Sequence, residues 1–101
     1  MDRQPELNSL LQDVLGSTNV YFQPPEDIRM NYPAIVYQRD RIWTNYASNL
    51  PYAHRDRYQV THISRDPLDD TPDKIKKLPM TRFMSYFAKD NLNHNVFSIY
   101  F

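Results

Sequence analysis

Two long strand-like segments, joined by four residues, constrain the fold of this chain most strongly. Residues 33–46 (PAIVYQRDRIWTNY) and residues 51–64 (PYAHRDRYQVTHIS) are rich in β-branched and aromatic side chains, which favour extended strands. The connector, residues 47–50, has the length of a hairpin loop. The two segments therefore predict one long antiparallel β-hairpin.

The register of this hairpin follows from folding it about Ser48 and Asn49. The predicted pairs are Arg41 with Asp56, Asp40 with Arg57, Tyr37 with Val60, Trp43 with His54 and Ile35 with His62. Cross-strand pairs of opposite charge or of aromatic side chains each contribute roughly 0.2–1 kcal/mol. A slip of one residue would oppose Arg41 to Arg57 or to Arg55, so the charge pairs distinguish the registers.

The hairpin is long relative to the body that bears it. A compact globule of 101 residues has a diameter of roughly 33 Å. Fourteen extended residues, in contrast, span about 45 Å. Because an isolated two-stranded ribbon is only marginally stable in water, we expect the distal half to project as an arm that becomes ordered against a neighbouring molecule. The alternative is a hairpin that curls over the domain, with Trp43 and Tyr46 capping the core.

Aromatic and arginine side chains dominate the predicted arm. These residue types are enriched among those that contribute most to binding at protein interfaces. The sequence therefore predicts a subunit or partner interface on the arm. The predicted interface residues are Arg39, Arg41, Trp43, Tyr46, Tyr52, His54, Arg55 and Arg57.

An apolar stripe near the start of the chain predicts a first helix. Pro5 suits the first turn, and apolar side chains recur at helical spacing as far as Leu15. Gly16, the only glycine, follows directly and suits a left-handed cap. Residues 19–22 then predict a short strand. The stripe consists of Leu7, Leu10, Leu11, Val14 and Leu15.

A second helix is predicted to begin at Thr71. Thr71, Pro72 and Asp73 offer an N-cap, a first-turn proline and a first-turn carboxylate, and Ile75 and Leu78 would form the buried side.

Two further strands complete the fold. Residues 81–88 and 94–101 have strand composition, and the residues between them tolerate turn conformations. With few helices and mostly antiparallel strands, the chain is predicted to form a single α+β domain over residues 1–101. The expected architecture is a two-layer sandwich with both helices on one sheet face and a long projecting β-hairpin.

Charge balance weighs against some classes of function, and the lack of cysteine excludes others. Twelve basic and twelve acidic side chains cancel, so no positive field attracts nucleic acid or anionic lipid. Without cysteine there are no disulfides, thiolate nucleophiles or cysteine zinc sites. No apolar run reaches the roughly 20 residues of a membrane span, and residues 1–5 lack a signal-peptide pattern. We expect synthesis in the cytoplasm and no membrane partner.

The candidate catalytic and metal-ligating residues match no motif. His54, His62 and His94 lie on separate segments without ligand spacing. A single glycine leaves no phosphate-binding loop. Asp90 and His94 could be an acid–base pair, but no oxyanion hole or nucleophile elbow accompanies them. The sequence predicts no enzyme activity, no metal and no cofactor.

An acidic cluster and a set of aromatic rings each allow two interpretations. The cluster could hold calcium, but it lacks the pattern of a hand-type loop, and three of its members, Asp69, Asp70 and Asp73, are better placed to complement the N-terminus of the second helix. The rings could stack on RNA bases, but the neutral charge favours a place for most of them in the core. The cluster is Asp66, Asp69, Asp70 and Asp73, and the rings are Tyr58, Phe83, Tyr86, Phe87, Phe97 and Tyr100.

Five stretches of the chain resemble one protein family in matching order. They are residues 29–37 (RMNYPAIVY), 58–61 (YQVT), 65–67 (RDP), 78–80 (LPM) and 90–97 (DNLNHNVF). They resemble the small tail terminator, or tail completion, proteins of long-tailed bacteriophages, and the resemblance covers most of the chain from Met30 to the end. None of the stretches is a catalytic signature.

The resemblance implies an α/β sandwich that closes into a ring, expected to be a homo-hexamer, on the last ring of tail tube subunits. Such a ring stops tube growth and offers the joining surface to the head. The implied partners are other copies of the chain, the tail tube protein and the neck proteins of the head–tail connector, with DNA passing through the lumen without sequence-specific contacts. The implied location is the head-proximal end of the virion tail, after assembly in the host cytoplasm.

Two other functions stay open. The chain could be a head-side neck or stopper subunit, or a nucleic-acid-binding module. Co-assembly with tail tubes or with portal-bearing heads separates the first two functions, and salt-dependent binding to DNA or RNA would indicate the third.

Overall fold

Among the residues that the structure describes, the chain forms two helices and a five-stranded sheet. The computed structural model describes residues 4–24, 29–47 and 50–101, and in residues 40–47 and 50–56 it describes the backbone alone. The architecture confirms the predicted α+β class and the mostly antiparallel sheet. The elements are α1 (Gln4–Leu15), β1 (Val20–Phe22), β2 (Ala34–Ala47), β3 (Leu50–Ser64), α2 (Thr71–Lys76), β4 (Thr81–Lys89) and β5 (Leu92–Tyr100).

The strands lie in the order β1-β2-β3-β5-β4. β1 runs parallel to β2, and the other neighbouring pairs are antiparallel. The final hairpin joins the sheet through its second strand, so β5 lies between β3 and β4. This arrangement leaves β4 at one edge of the sheet and β1 at the other.

Helix α1 confirms the predicted stripe and its cap. Leu7 and Leu11 are fully buried. Gly16 has a φ of 74°, and its N–H donates to the carbonyl of Gln12 at 2.8 Å. This left-handed conformation is unfavourable for residues with a Cβ, which explains why glycine follows the last turn.

A buried tyrosine fastens α1 to the sheet. The hydroxyl of Tyr37 donates a hydrogen bond to Asn8 Oδ1 at 2.7 Å and accepts one from Gln4 Nε2 at 2.6 Å. Because a buried hydroxyl needs a partner, these two contacts allow the ring to be fully buried beneath the helix.

Both helices share one core with the sheet. Tyr37 pairs with Val60, and Val60 pairs with Phe97, so these cross-strand partners point to the same face. Both helices therefore cover the same face, as predicted. The buried cluster comprises Leu7 and Leu11 of α1, Ile75 of α2, and Ile35, Tyr37, Tyr58, Val60, Phe97 and Ile99 of the strands.

Helix α2 differs from the prediction at its first turn. Thr71 is its first residue, and Asp70 occupies the N-cap position. Oδ1 of Asp69 accepts hydrogen bonds from the N–H of Thr71 at 2.9 Å and from its hydroxyl at 2.7 Å. The predicted N-cap at Thr71 is therefore wrong, because its hydroxyl already donates to an upstream carboxylate. Burial of Ile75 is confirmed.

The predicted hairpin register is confirmed near the base and at the tip, but not between them. Tyr37 pairs with Val60 and Ile35 with His62, as predicted. A bulge between Arg39 and Arg41 then shifts the register by one residue, and a further irregularity between Asn45 and Tyr46 restores it, so that residues 46 and 47 pair with residues 51 and 50. The predicted partners of Arg41, Asp40 and Trp43 are therefore wrong. The observed pairs are Arg41 with Arg57, Ile42 with Asp56, Trp43 with Arg55 and Thr44 with His54.

The position of the bulge has a physical reason. The pairing of β5 with β3 ends at Arg57, and that of β1 with β2 ends at Tyr37. Beyond these residues the two hairpin strands pair only with each other in the described part of the sheet. The extra residue lies in β2, which has already passed the end of β1, so no strand on its outer side fixes its position, and sheet margins are common places for bulges.

Candidate functional site at an exposed sheet edge

Strand β4 forms a long edge that no other described strand covers. It pairs with β5 along one side, and its other side has no strand partner within the described ranges. Every residue of β4 after Thr81 is exposed. Such an edge presents backbone N–H and C=O groups that can pair with a strand of another chain.

The edge carries large apolar side chains. Exposure reaches 41% at Phe83, 54% at Met84, 54% at Tyr86 and 46% at Phe87. The prediction that most of the aromatic rings lie in the core holds for Tyr58 and Phe97, which are fully buried. It is wrong for the three rings of β4, because the strand order places them at the margin of the sheet.

A bulge within β4 gives this strand apolar side chains on both faces. It lies between Phe83 and Ser85. Phe83 pairs with Phe97 and Tyr86 with Asn95, so both point to the helix-covered face. Phe87 pairs with His94 and points to the opposite face. We name β4 with these exposed side chains the β4 edge.

Contacts with neighbouring side chains hold the exposed rings of the β4 edge in place. Phe83 meets Phe97 edge-on with ring centroids 5.5 Å apart, and Lys76 Nζ lies 5.1 Å from the Phe83 centroid. Phe87 stacks on His94 at 4.5 Å with an interplanar angle of 10°. These contacts lower the entropy that the rings would lose on binding a partner, so the surface is partly preorganised.

The structure describes the side chains of only two predicted interface residues. Arg39 is exposed, and its guanidinium carbon lies 5.8 Å from the ring centroid of Tyr58. Arg57 is half-buried and pairs with Tyr100 of β5. The remaining side chains fall outside the described ones, so their predicted role and the projection of the arm stay predictions. They are Arg41, Trp43, Tyr46, Tyr52, His54 and Arg55.

Sequence reasoning missed the β4 edge as a surface, although a signal was present. Apolar side chains occupy both odd and even positions from Phe83 to Phe87. A strand with apolar side chains on both faces is either central in a sheet or covered by a partner. Only the strand order shows that β4 is not central.

The histidines and the acid–base candidates are dispersed. His62 is buried on β3, whereas His94 stacks on Phe87. Asp90 and Asn91 have φ values of 54° and 63° and form the turn between β4 and β5. Among the described residues no group of three or more potential ligands could hold a metal ion.

Fold and surface together define an α+β sandwich with one open, aromatic sheet edge. No protein-family model, curated protein or solved structure matches the chain. In the part of the chain that the structure describes, no helix combines the length and the apolar character required to cross a membrane.

Proposed function

We propose that this chain is a structural virion protein, the tail terminator subunit that assembles into a ring, expected to be a homo-hexamer, on the tail tube of a long-tailed phage. The β4 edge is the observation that supports assembly most strongly. Tail identity rests on the resemblance of the five sequence stretches. The chain acts through its shape, without a catalytic residue, metal or cofactor.

An open apolar edge favours assembly for energetic reasons. Natural proteins usually shorten, charge or cover such edges, because unpaired strands recruit other chains. Burying the apolar area of the exposed rings contributes about 25 cal/mol per Å². A partner strand would also form hydrogen bonds with the backbone groups of β4. One contact would therefore bury the exposed rings and pair the backbone of the edge.

The strand order favours a ring. β4 and β1 lie at opposite ends of the sheet, and β1 is followed in the sheet by the hairpin strands β2 and β3. A head-to-tail contact between two different surfaces of neighbouring copies closes into a ring when the rotation permits. In the proposed ring, the β4 edge of one subunit meets the β1 and hairpin side of the next.

The proposed partners follow from the ring. One face of the ring contacts the tail tube protein and stops its polymerisation, and the other joins the neck proteins of the head. DNA passes through the lumen without base-specific contacts, which agrees with a neutral chain. The location is the head-proximal end of the virion tail.

Electron microscopy of tails made with and without this protein tests the proposal. Tails of indefinite length in its absence are the expected result. Tails of normal length that fail to hold DNA-filled heads would contradict a terminator and indicate a head-side neck subunit instead.

The predicted arm is tested by replacing Trp43 and Arg41 with alanine. The double variant is expected to form rings less well while its monomer stays folded, because an arm beyond the sheet contributes to contacts between subunits rather than to the core. If rings and tail joining both survived this change, the arm would not be the contact.

One observation favours a second candidate function, binding of single-stranded nucleic acid. Phe83, Tyr86 and Phe87 are exposed on the strand that also carries Arg82 and Lys89. Exposed rings with nearby cations are the elements that stack bases without sequence preference. Binding to oligonucleotides that weakens steeply with salt would support this function over the ring.

A further inference from the structure

A polar cavity lies between the loop before α2 and the ends of the neighbouring strands. Its volume is about 400 Å³. Strand residues His62, Asn93 and Asn95 form one side, and Asp66 and Asp69 of the loop form another. The cavity is separate from the outer side of the β4 edge, although Tyr86 also contributes to its wall.

A buried histidine lines this cavity. His62 is fully buried, and its Nε2 lies 3.4 Å from Asp69 Oδ2. Neither ring nitrogen has a hydrogen-bond partner among the described residues. Burial lowers the pKa of His62 despite the nearby carboxylate, so the ring is neutral at neutral pH. With the proton on Nε2, facing the carboxylate, Nδ1 is an acceptor that lacks a donor.

The cavity is acidic. Four aspartates and one lysine, Lys76, are among the residues that line it. Asp69 is ionised, because hydrogen bonds from Thr71 lower its pKa although burial acts to raise it. Lys76 places its ammonium group near the face of the Phe83 ring. The four carboxylates belong to Asp66, Asp69, Asp70 and Asp73.

Hydrogen bonds within the cavity wall occupy donor groups of its side chains, whereas its carboxylates can still accept further hydrogen bonds. The Tyr86 hydroxyl donates to Asn93 Oδ1 at 2.6 Å, and Asn93 Nδ2 donates to the carbonyl of Ser64 at 3.2 Å. Oδ1 of Asp69 accepts from Thr71, and the Asp69 carboxylate also interacts with the Ser64 hydroxyl and lies 3.4 Å from Nε2 of His62. A guest that brings several donors and a positive charge would match this wall.

We propose that the cavity is a binding site for a guanidinium group, the head of an arginine side chain. A guanidinium carries five N–H donors in a plane and no acceptor, and it pairs with carboxylates through two parallel hydrogen bonds. The apolar side chains of Pro67 and Pro72, which also line the cavity, can pack against the methylene stem. This site does not depend on the proposed ring function.

Nuclear magnetic resonance titration of the whole chain with N-acetyl-arginine amide tests the site. Saturable shifts are expected at the backbone amides of His62, Ser64 and Asn93. The citrulline analogue, which has the same shape and no charge, is expected to bind at least about tenfold more weakly, as is typical when a charged hydrogen bond is lost. Equal binding of the two compounds, or no saturable shift, would overturn the proposal.

Two variants with the same charge change locate the site. Asp69→Asn retains an oxygen that can accept from Thr71 and is expected to weaken binding about tenfold. Asp13→Asn, on the exposed side of α1, should leave binding unchanged. If Asp69→Asn does not fold, Asp66→Asn takes its place. Unchanged binding in the cavity variant would contradict the site.

The same backbone amide resonances show whether the guanidinium comes from a second copy of the chain or from another molecule. If an arginine of a second copy fills the cavity, raising the protein concentration should shift the His62 amide in the direction that the arginine amide does. If the compound binds but concentration has no effect, the arginine belongs to another partner or is a free ligand.

Discussion

The helix-covered sheet face and the β4 edge contain the same kinds of side chain in opposite environments. Tyr37, Tyr58 and Phe97 are fully buried, whereas the rings of β4 are between 41% and 54% exposed. The rings of the covered face are enclosed by the core beneath the helices, while those of β4 contact individual side chains at the margin of the sheet. Aromatic composition determines that both regions form strands, but the strand order determines which region stabilises the fold and which is available for binding.

Truncating one phenylalanine in each region gives the largest expected contrast. Phe97→Ala should lower the free energy of unfolding by about 3–5 kcal/mol, because it leaves a cavity in the core. Phe87→Ala should lower it by less than about 1 kcal/mol, because the ring is half in water already. Urea denaturation of the two variants measures both values. Similar losses would show that β4 belongs to the core.

Removing one tyrosine hydroxyl in each region sharpens the comparison. Tyr37→Phe should cost about 1–2 kcal/mol, because Asn8 and Gln4 each lose a buried partner. Tyr86→Phe removes an exposed hydrogen bond to Asn93, and the cost should be under about 0.5 kcal/mol. Thermal unfolding of both variants provides the measurement, and a reversed order would contradict the roles assigned to the two regions.

The pH dependence of stability tests the buried side of the cavity. Burial lowers the pKa of His62 in the folded state below its ordinary value of 6.5. The unfolded chain therefore binds this proton more readily, and the stability present above about pH 6.5 should decline as the pH falls below that value. His62→Gln should flatten this part of the curve of unfolding free energy against pH. An unchanged slope would show that His62 is not the group responsible.

Local features of the fold could be predicted from the sequence, and features that depend on distant strands could not. The stripe of α1 and its end at Gly16 depend on neighbouring residues only. The register at the base and at the tip of the hairpin also followed from folding it about its loop. The bulge after Arg39 depends on where β1 and β5 stop pairing, and the exposure of Phe87 depends on strand order.

The β4 edge and the cavity also depend on distant parts of the fold, so neither could be predicted from the sequence. Apolar side chains at both odd and even positions of β4 indicated an unusual strand, but they did not indicate that this strand lies at an edge of the sheet. The cavity forms because the loop before α2 brings Asp69 within 3.4 Å of His62 of β3. No spacing in the sequence encodes that approach, since it depends on how the loop packs on the sheet.

Sedimentation velocity tests most directly whether the β4 edge joins copies of the chain. The test variant is Met84→Lys with Phe87→Lys, and the control is Ser9→Lys with Thr18→Lys, which adds the same charge at exposed positions away from β4. We expect the wild type and the control to form the same oligomer, and the β4 variant to sediment as a folded monomer with nearly unchanged stability. A β4 variant that assembles like the wild type, or a wild type that stays monomeric at every concentration, would contradict the account.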